Sequence, residues 1–187
     1  EKTSHQVLKY EGLEKIVIKD DYAFLYVNNV SIYFANMNNF EQKEKEYNVW
    51  EREPIKLYIY TYGGVCYAGF ALIDAIRASK TPVHTIVLGT AMSMGIFIFN
   101  AGHKRLIGEH ATLMYHDVSF HLESEMTEGA KIELAEGLRL QKMGIQFLTE
   151  YSLVEESVIN DYVNRKADWF IPAEEAIRLK IADAYYK

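Results

Sequence analysis

The 187-residue sequence contains one cysteine, Cys66, three prolines and no long apolar run. A single cysteine excludes an internal disulfide and a cysteine-rich metal site, and it is typical of a reducing compartment such as the cytoplasm. A bilayer-spanning helix needs roughly 20 apolar residues, so we expect no membrane segment. Because no proline- or glycine-rich linker interrupts the chain, residues 1–187 are predicted to form a single domain.

Basic residues are also few: 20 Lys and Arg stand against 26 Asp and Glu, which gives a net charge of −6. That balance excludes a general affinity for nucleic acid. The six histidines lack the His-x-x-x-His spacing of a helical zinc site, so no metal is expected. Tyrosine, by contrast, is abundant with fourteen residues, which indicates contacts between subunits.

Strand-forming and helix-forming stretches alternate along the chain, which predicts an α/β protein built from β-α-β units. In the first part, strands are expected at 22–30, 55–61, 82–89 and 111–116. A mixed helical stretch up to Tyr47 carries the charge run "EQKEKE" on a solvated face. A second helix is expected at 68–79, and a third, short and apolar, follows the segment "GTAMSMG" at 89–95.

Helices dominate the C-terminal part. A long helix is predicted from Thr127 to Thr149, with an apolar stripe formed by Leu134, Leu138, Ile145 and Leu148. Ser152 and Glu155 match the Ser-x-x-Glu capping box, which predicts a helix start there and an end near Arg165. "DWFI" is a short strand-like turn, Pro172 begins a helix through Lys180, and "IADAYY" closes the chain.

Two strand-to-helix corners contain small residues. One is Gly63–Gly64 after "IKLYIYT", and the other is the segment around Ser93 after "PVHTIVL". A helix start exposes backbone N–H groups that lack partners within the helix. Two such corners on neighbouring strands can point their N–H groups at one place and stabilise a developing oxyanion. Glycines that merely permit tight turns are the alternative interpretation.

Ser93 is a candidate nucleophile because a hydroxyl at a helix N-terminus, at the end of a strand, is accessible. His116, at the end of another strand, is a candidate general base. The carboxylate that would orient the histidine is left open by spacing alone. The candidates are Asp117, Asp161, Asp168 and Asp183.

Four segments together resemble the ClpP family, the proteolytic subunits of the Clp protease. "LYIYTYGGV" is similar to the family's strand and "SPGG" turn, and "MSMG" to its nucleophile segment "ASMG". "LMYHDV" resembles the histidine segment, and "DWFIPAEEAIRLKIAD" resembles "DRFLSAPEAVEYGLVD". The resemblance runs from about Leu57 to the C-terminus, with the segments in the same order and at nearly the same separations.

The resemblance assigns roles position by position. It implies that Ser93 is the nucleophile, His116 the base and Asp168 its orienting partner. Gly64 and Met94 would supply the backbone N–H groups of the oxyanion hole. The family fold is a crotonase-like α/β fold with a projecting helical handle, here at about 127–149. The implied activity is hydrolysis of peptide bonds in unfolded polypeptides through an acyl-enzyme.

The resemblance also implies an assembly: a homo-oligomer of stacked heptameric rings, fed by an AAA+ unfoldase. The chain has no Gly-x-x-x-x-Gly-Lys-Ser/Thr loop, so ATP would be used by that partner and no cofactor is expected in this chain. The sequence departs from the family at Tyr62, where the family has proline, in the segment after His116, and in the N-terminal segment 1–20.

Two other functions are compatible with the pattern. A crotonase-fold acyl-CoA enzyme uses the same pair of N–H corners without a serine triad. A non-catalytic subunit of a mixed ring would keep the fold and lose part of the triad, whereas Ser93, His116 and Asp168 are all present in this chain.

Overall fold

The computed structural model describes residues 15–19, 22–27, 30–35, 53–119 and 127–187. The strands in these ranges are β1 (Lys15–Lys19), β2 (Tyr22–Val27), β3 (Val30–Ala35), β4 (Ile55–Thr61), β5 (Val83–Met92), β6 (Lys104–Ile107), β7 (Thr112–Tyr115), β8 (Trp169–Pro172) and β9 (Ala184–Tyr185). The helices are α1 (Cys66–Ala78), α2 (Met94–Asn100), α3 (Thr127–Glu150), α4 (Glu156–Arg165) and α5 (Ala173–Arg178).

All nine strands join one mixed sheet, which confirms the predicted α/β class. Strands β1 to β4 pair antiparallel in sequence order, and β4, β5, β6 and β9 continue the sheet in parallel. The long strand β5 changes partner along its length: His84–Val87 pair with β6, and Thr90–Met92 pair with β7. β8 then pairs antiparallel with β7.

The N-terminal region differs from the β-α-β prediction. The predicted strand 22–30 is β2, which ends at Val27, and Val30 already begins the antiparallel strand β3. β3 continues to Ala35, where a helix was predicted. "VSIYFA" is rich in β-branched and aromatic residues, and pairing on both sides with β2 and β4 favours the extended conformation. The rest of the predicted helix, including "EQKEKE", lies outside the described residues, as does most of the N-terminal segment 1–20.

Apolar residues of β4, β5 and the flanking helices form the core. Leu57 and Ile59 of β4 alternate with outward residues, and Ile73 and Ile76 of α1 pack against them. β5 runs to Met92, three residues beyond the predicted end, because Thr90–Met92 gain β7 as a partner. The short strand β6 was not predicted from the sequence. Of the helices in the described ranges, none is long and apolar enough to cross a bilayer.

The bounds of α3 agree with the predicted helix 127–149, but its buried face does not. Ile145 and Leu148 are buried, whereas Leu134 and Leu138 are about half exposed. The stripe that packs is instead spaced by three and four residues from Gly137 through Leu140 and Gly144 to Leu148. The first turns of α3 contribute no buried residue.

The predicted capping box is wrong. Helix α4 begins at Glu156, after an N-cap at Glu155 whose side chain makes no capping bond. Ser152 ends the preceding helix instead: its Oγ donates to the Leu148 carbonyl at 2.6 Å and accepts from the Val154 N–H at 3.1 Å. The last helix, α5, is shorter than predicted, at Ala173–Arg178.

One half-buried arginine connects the C-terminal elements. Arg105 of β6 donates to Asn100 Oδ1 at 2.8 Å and to the Tyr151 carbonyl at 2.5 Å. It also pairs with Asp183 at 2.6 Å, just before β9. Burial acts to raise the pKa of Asp183, but hydrogen bonds and charge from Arg105 outweigh it and hold that pKa below its ordinary value. The network therefore fastens α2, the end of α3 and β9 to β6.

We expect Asp183→Asn to lower the free energy of unfolding at pH 7 by about 1.5–3 kcal/mol, because Arg105 loses its charged acceptor. The folded pKa of Asp183 lies below its unfolded value, so the stabilisation is full above about pH 4 and is lost as the pH falls through the folded pKa. The free energies of unfolding of wild type and Asp183→Asn, measured by urea titration from pH 7 to pH 2.5, should therefore converge as the pH falls.

The matched control is Asp161→Asn, which removes an exposed ion pair with Arg165. It should change stability by less than about 1 kcal/mol. Equal effects of the two variants, or a gap that does not narrow in acid, would contradict this account of the Arg105 network.

Candidate active site

Strand order brings the two predicted catalytic segments to one edge of the sheet. Ser93 follows the last residue of β5, and His116 follows the last residue of β7. β5 and β7 are parallel neighbours, with Met92 paired to Met114, so their carboxyl ends lie side by side. The Ser93 N–H donates to the Met114 carbonyl at 2.9 Å, which continues the pairing to the serine itself.

Ser93 has an unusual backbone conformation. It is the N-cap of α2, with φ 53° and ψ −124°, in a region that non-glycine residues rarely occupy. Such a conformation costs on the order of 1–3 kcal/mol and persists only where the surroundings impose it. The Ser93 side chain makes no capping bond to α2, so its hydroxyl is available to the cleft.

Glycines on either side of Ser93 allow the corner after β4 to pack closely against it, and this packing holds its conformation. Gly63 has φ +109°, and a Cβ there would lie 2.5 Å from Ser93 Cβ and 3.0 Å from Ser93 Oγ. A Cβ at Gly95 would lie 2.5 Å from Thr61 Cγ2, and one at Gly69 would overlap the Met94 side chain. The corner after β4 is therefore packed directly on the corner after β5.

Several backbone N–H groups in this corner are unpaired within the described residues, and two of them are those predicted to form the oxyanion hole. Those of Gly64 and Met94 make no hydrogen bond there, and both residues line the same cleft as Ser93. The Gly63 N–H, by contrast, is used by Thr61 Oγ1 at 3.0 Å. The geometry thus leaves free donors at the two residues predicted to form the oxyanion hole.

His116 faces the same cleft and is half-buried. Its Nδ1 is in hydrogen-bond contact with the carbonyl oxygen of Asp117, and a carbonyl only accepts, so Nδ1 carries the proton in this contact. Within the described part of the chain, no hydrogen bond joins the imidazole to Ser93 or to Asp168. The structure brings the serine and the histidine to one cleft without linking them.

The four candidate carboxylates have different surroundings. Asp161 pairs with Arg165 at 2.6 Å, and Asp183 pairs with Arg105, so both are engaged elsewhere. Asp168 is exposed and directly precedes β8, where Trp169 pairs with Tyr115 of β7. His116 directly follows, and Asp168 directly precedes, the last residue pair of this antiparallel ladder. Asp168 does not line the cleft with Ser93, whereas the exposed Asp117 does.

The remaining walls of the cleft are mostly apolar. Phe97 of α2 packs edge to face on Tyr115, with ring centroids 6.1 Å apart. Burial, and then the charge of Asp117, raises the pKa of Tyr115 above its ordinary value, so this phenol stays neutral. The helices α1 and α3 also line the cleft, through Cys66, Phe70, Leu140, Gln141 and Gly144.

Cys66 is a second nucleophile type inside the cleft. Burial raises the pKa of its thiol, so the protonated form, which is the less reactive one, is favoured at neutral pH. Among the described residues, no group of three or more His, Cys, Asp or Glu side chains is arranged to hold a metal ion.

Comparisons with known proteins decide the family. The Clp protease family model matches residues 45–186. The chain belongs to the Clp protease family. The match includes all five predicted site residues, so the Clp protease resemblance of separate segments reflects one continuous relationship.

Individual relatives are moderately similar. The "ATP-dependent Clp protease proteolytic subunit 3" of Synechococcus sp. (strain CC9605) is 35% identical over 133 residues, which cover 70% of this chain and 66% of the relative. The "ATP-dependent Clp protease proteolytic subunit" of Deinococcus radiodurans is 31% identical over 134 residues, 70% of this chain and 64% of the relative. The match thus spans just under two thirds of the length of these Clp relatives.

Two features of this Clp-family site were missed from the sequence. The role of Gly63 was not anticipated, because its contact with Ser93 depends on the register between β4 and β5. The α3 wall was also missed, although Leu140 and Gly144 stand four apart on the predicted helix, a spacing that indicates a common face. The predicted apolar stripe placed Leu134 and Leu138 on the buried face of the helix, whereas both side chains are exposed.

We expect Gly63→Ala to lower the free energy of unfolding by about 1–3 kcal/mol, because the new Cβ overlaps Ser93 and the positive φ disfavours alanine. Gly64→Ala is the matched control, since a Cβ at Gly64 meets nothing within 4 Å. It should stay within about 0.5 kcal/mol of wild type in the same denaturant titration. If Gly63→Ala is as stable as Gly64→Ala, the corners are not packed as described.

Proposed function

We propose that this Clp-family chain is a serine-type endopeptidase that hydrolyses peptide bonds of unfolded polypeptides through an acyl-enzyme. The observation that supports it most strongly is the Ser93 corner: a strained serine, free Gly64 and Met94 N–H groups and His116 share one cleft. Reactive serines of other hydrolases also occupy strained strand-to-helix turns that expose the hydroxyl.

In the proposed mechanism, Ser93 Oγ attacks the carbonyl carbon of the scissile peptide while His116 accepts its proton. The carbonyl oxygen becomes an oxyanion and accepts hydrogen bonds from the Gly64 and Met94 N–H groups. Collapse of this intermediate breaks the C–N bond, and the imidazolium returns the proton to the leaving amine. Water, deprotonated by His116, then attacks the acyl-enzyme and releases Ser93.

The tautomer of His116 suits a general base. With Nδ1 protonated toward the Asp117 carbonyl, Nε2 is the basic nitrogen, as a general base to serine requires. Catalysis requires the imidazole to turn until Nε2 meets Ser93 Oγ. Catalytic hydrogen bonds often tighten only when substrate is bound.

Asp168 is our proposed partner for Nδ1 in that rotated state. It directly precedes β8, and His116 directly follows the paired strand β7. Asp168 has no ion pair within the described residues, whereas Asp161 and Asp183 do. A carboxylate in place of the Asp117 carbonyl would stabilise the imidazolium that forms during attack.

The assembly belongs to the same proposal. The relatives are named as subunits of an ATP-dependent protease, and this chain has no nucleotide-binding Gly-Lys-Ser/Thr loop. We propose a cytoplasmic homo-oligomer of stacked heptameric rings that receives unfolded polypeptides from an AAA+ unfoldase, with ATP used by that partner alone.

A fluorophosphonate probe should react covalently with Ser93, as shown by mass spectrometry of the assembled protein. His116→Ala should suppress the labelling, because the base is lost, and Ser93→Ala should abolish both labelling and peptide turnover. Ser119→Ala is the matched control, since that serine lines the cleft outside the proposed machinery, and it should be labelled like wild type.

Absence of a Ser93 adduct on native protein, or labelling that survives His116→Ala unchanged, would contradict the peptidase. Acyl-CoA turnover that persists in Ser93→Ala would favour the crotonase-type enzyme instead. Wild-type protein that neither reacts nor turns over peptides, yet assembles with an active relative, would favour a non-catalytic subunit.

We expect Asp168→Asn to reduce kcat by a factor of about 10²–10⁴, because an amide cannot stabilise the imidazolium and favours the wrong tautomer. The measurement is hydrolysis of a short fluorogenic peptide as a function of pH. Asp161→Asn, which also replaces a carboxylate near the C-terminal elements, should leave kcat within twofold. Comparable activity of the two variants would assign the orienting role elsewhere, with Asp117 as the next candidate.

A further inference from the structure

A three-residue cluster bridges α1 and α3, two helices that line the cleft. Tyr67 of α1 donates its hydroxyl to Glu136 Oε1 of α3 at 2.7 Å. Arg139, one turn further along α3, donates to both oxygens of the same carboxylate, each at 2.7 Å. Both Glu136 oxygens are therefore engaged, one of them by two donors.

The bridge stands beside the cleft-lining residues of both helices. On α1, Tyr67 lies between Cys66 and Phe70, which line the cleft. On α3, Glu136 precedes Leu140 by one turn and Gly144 by two, and these residues also line the cleft. A change in the distance between α1 and α3 at the bridge is therefore a change in the width of the cleft.

Only the part of α3 from Gly137 onward has buried residues. Gly144 sits against Phe97, since a Cβ there would lie 3.0 Å from the end of that ring. From Thr127 to Ala135 no residue of α3 is buried, and Ile132 and Leu134 are exposed. The bridge lies where the exposed segment of α3 meets the body of the protein.

The charge state of the bridge is constant near neutrality. Hydrogen bonds from Arg139, and then from Tyr67, lower the pKa of Glu136 to about 2, so the carboxylate stays ionised. The hydrogen bond to Glu136 raises the pKa of Tyr67, so the phenol remains a donor. Because Arg139 fixes the carboxylate in place, Tyr67 meets an acceptor that is already oriented.

We propose that Tyr67, Glu136 and Arg139 form a clasp that holds α3 against α1 and sets the width of the substrate cleft. The clasp residues are positioning residues: they lie outside the cleft lining and set the spacing of two helices that line it. The consequence for substrate choice rests on the proposed peptidase function. A closed clasp restricts the cleft to side chains of moderate size, and an open clasp admits larger ones.

The first test measures the clasp without catalysis. Tyr67→Phe removes only the hydroxyl, and amide hydrogen exchange of the full-length protein should become at least threefold faster in residues 130–141 of α3. Glu128→Ala is the matched control, since it removes a similar i, i+3 ion pair with Lys131 on the same helix that does not reach α1. Exchange that is unchanged in Tyr67→Phe, or equally faster in Glu128→Ala, would overturn the clasp.

The second test measures selectivity with peptides that differ only in the side chain before the scissile bond, leucine or naphthylalanine. In Tyr67→Phe and Glu136→Ala, the kcat/KM ratio of the bulky to the smaller substrate should rise about threefold to tenfold, mainly through KM, with kcat within twofold. The double variant should equal the single variants in this ratio, because each change removes the same Tyr67–Glu136 bond between the helices.

A loss of kcat for both peptides, with an unchanged ratio, would contradict a role in cleft width and indicate general destabilisation. The control Glu128→Ala should keep the wild-type ratio. Failure of the proposed function is distinguishable, since wild type would then neither react with fluorophosphonate nor cleave either peptide. The exchange experiment still decides the clasp in that case.

Discussion

The contact between Gly63 and Ser93 is the constraint on which the site depends. Gly63, just after β4, has a positive φ and no side chain, so the backbone there can lie very close to Ser93. A Cβ at this position would overlap the Cβ of Ser93. The hydrogen bond from the Ser93 N–H to Met114 holds the same residue from the β7 side. Ser93 is thus held between the ends of β4 and β7, the two strands that flank this part of β5. These contacts, rather than the intrinsic preference of serine, account for its strained backbone.

The long strand β5 explains why the predicted catalytic segments around Ser93 and His116 lie at the same cleft. Its first half pairs with β6, and its second half pairs with β7, so β7 reaches the carboxyl end where Ser93 lies. His116 arrives there as the residue after β7, and Asp168 arrives as the residue before β8. Strand register therefore brings Ser93 and His116 to one cleft and leaves Asp168 at the end of the β7–β8 pairing, outside the cleft lining. The Arg105 network stabilises this C-terminal half away from the cleft.

Local chemistry in the sequence predicted much of this arrangement. Gly-Gly after an alternating strand and Ser93 among small residues indicated two backbone corners, and the structure has a strand before and a helix after each of them. Register was not readable, because whether β5 pairs with β6, β7 or both depends on the whole sheet. Antiparallel pairing decided the N-terminal strands in the same way. Ser152 shows a further limit: its spacing to Glu155 fits a helix start, yet its hydroxyl closes the preceding helix on Leu148.

The central claim is that one cleft presents Ser93, an imidazole and two amide donors to the same carbonyl group. A crystal structure of the assembled protein with a peptide boronate tests it most directly, because boron bonded to serine reproduces the tetrahedral intermediate. Boron should be bonded to Ser93 Oγ, and one boronate oxygen should lie about 2.7–3.1 Å from the nitrogens of both Gly64 and Met94. A boronate bound with either amide turned away, or with His116 still on the Asp117 carbonyl, would contradict it.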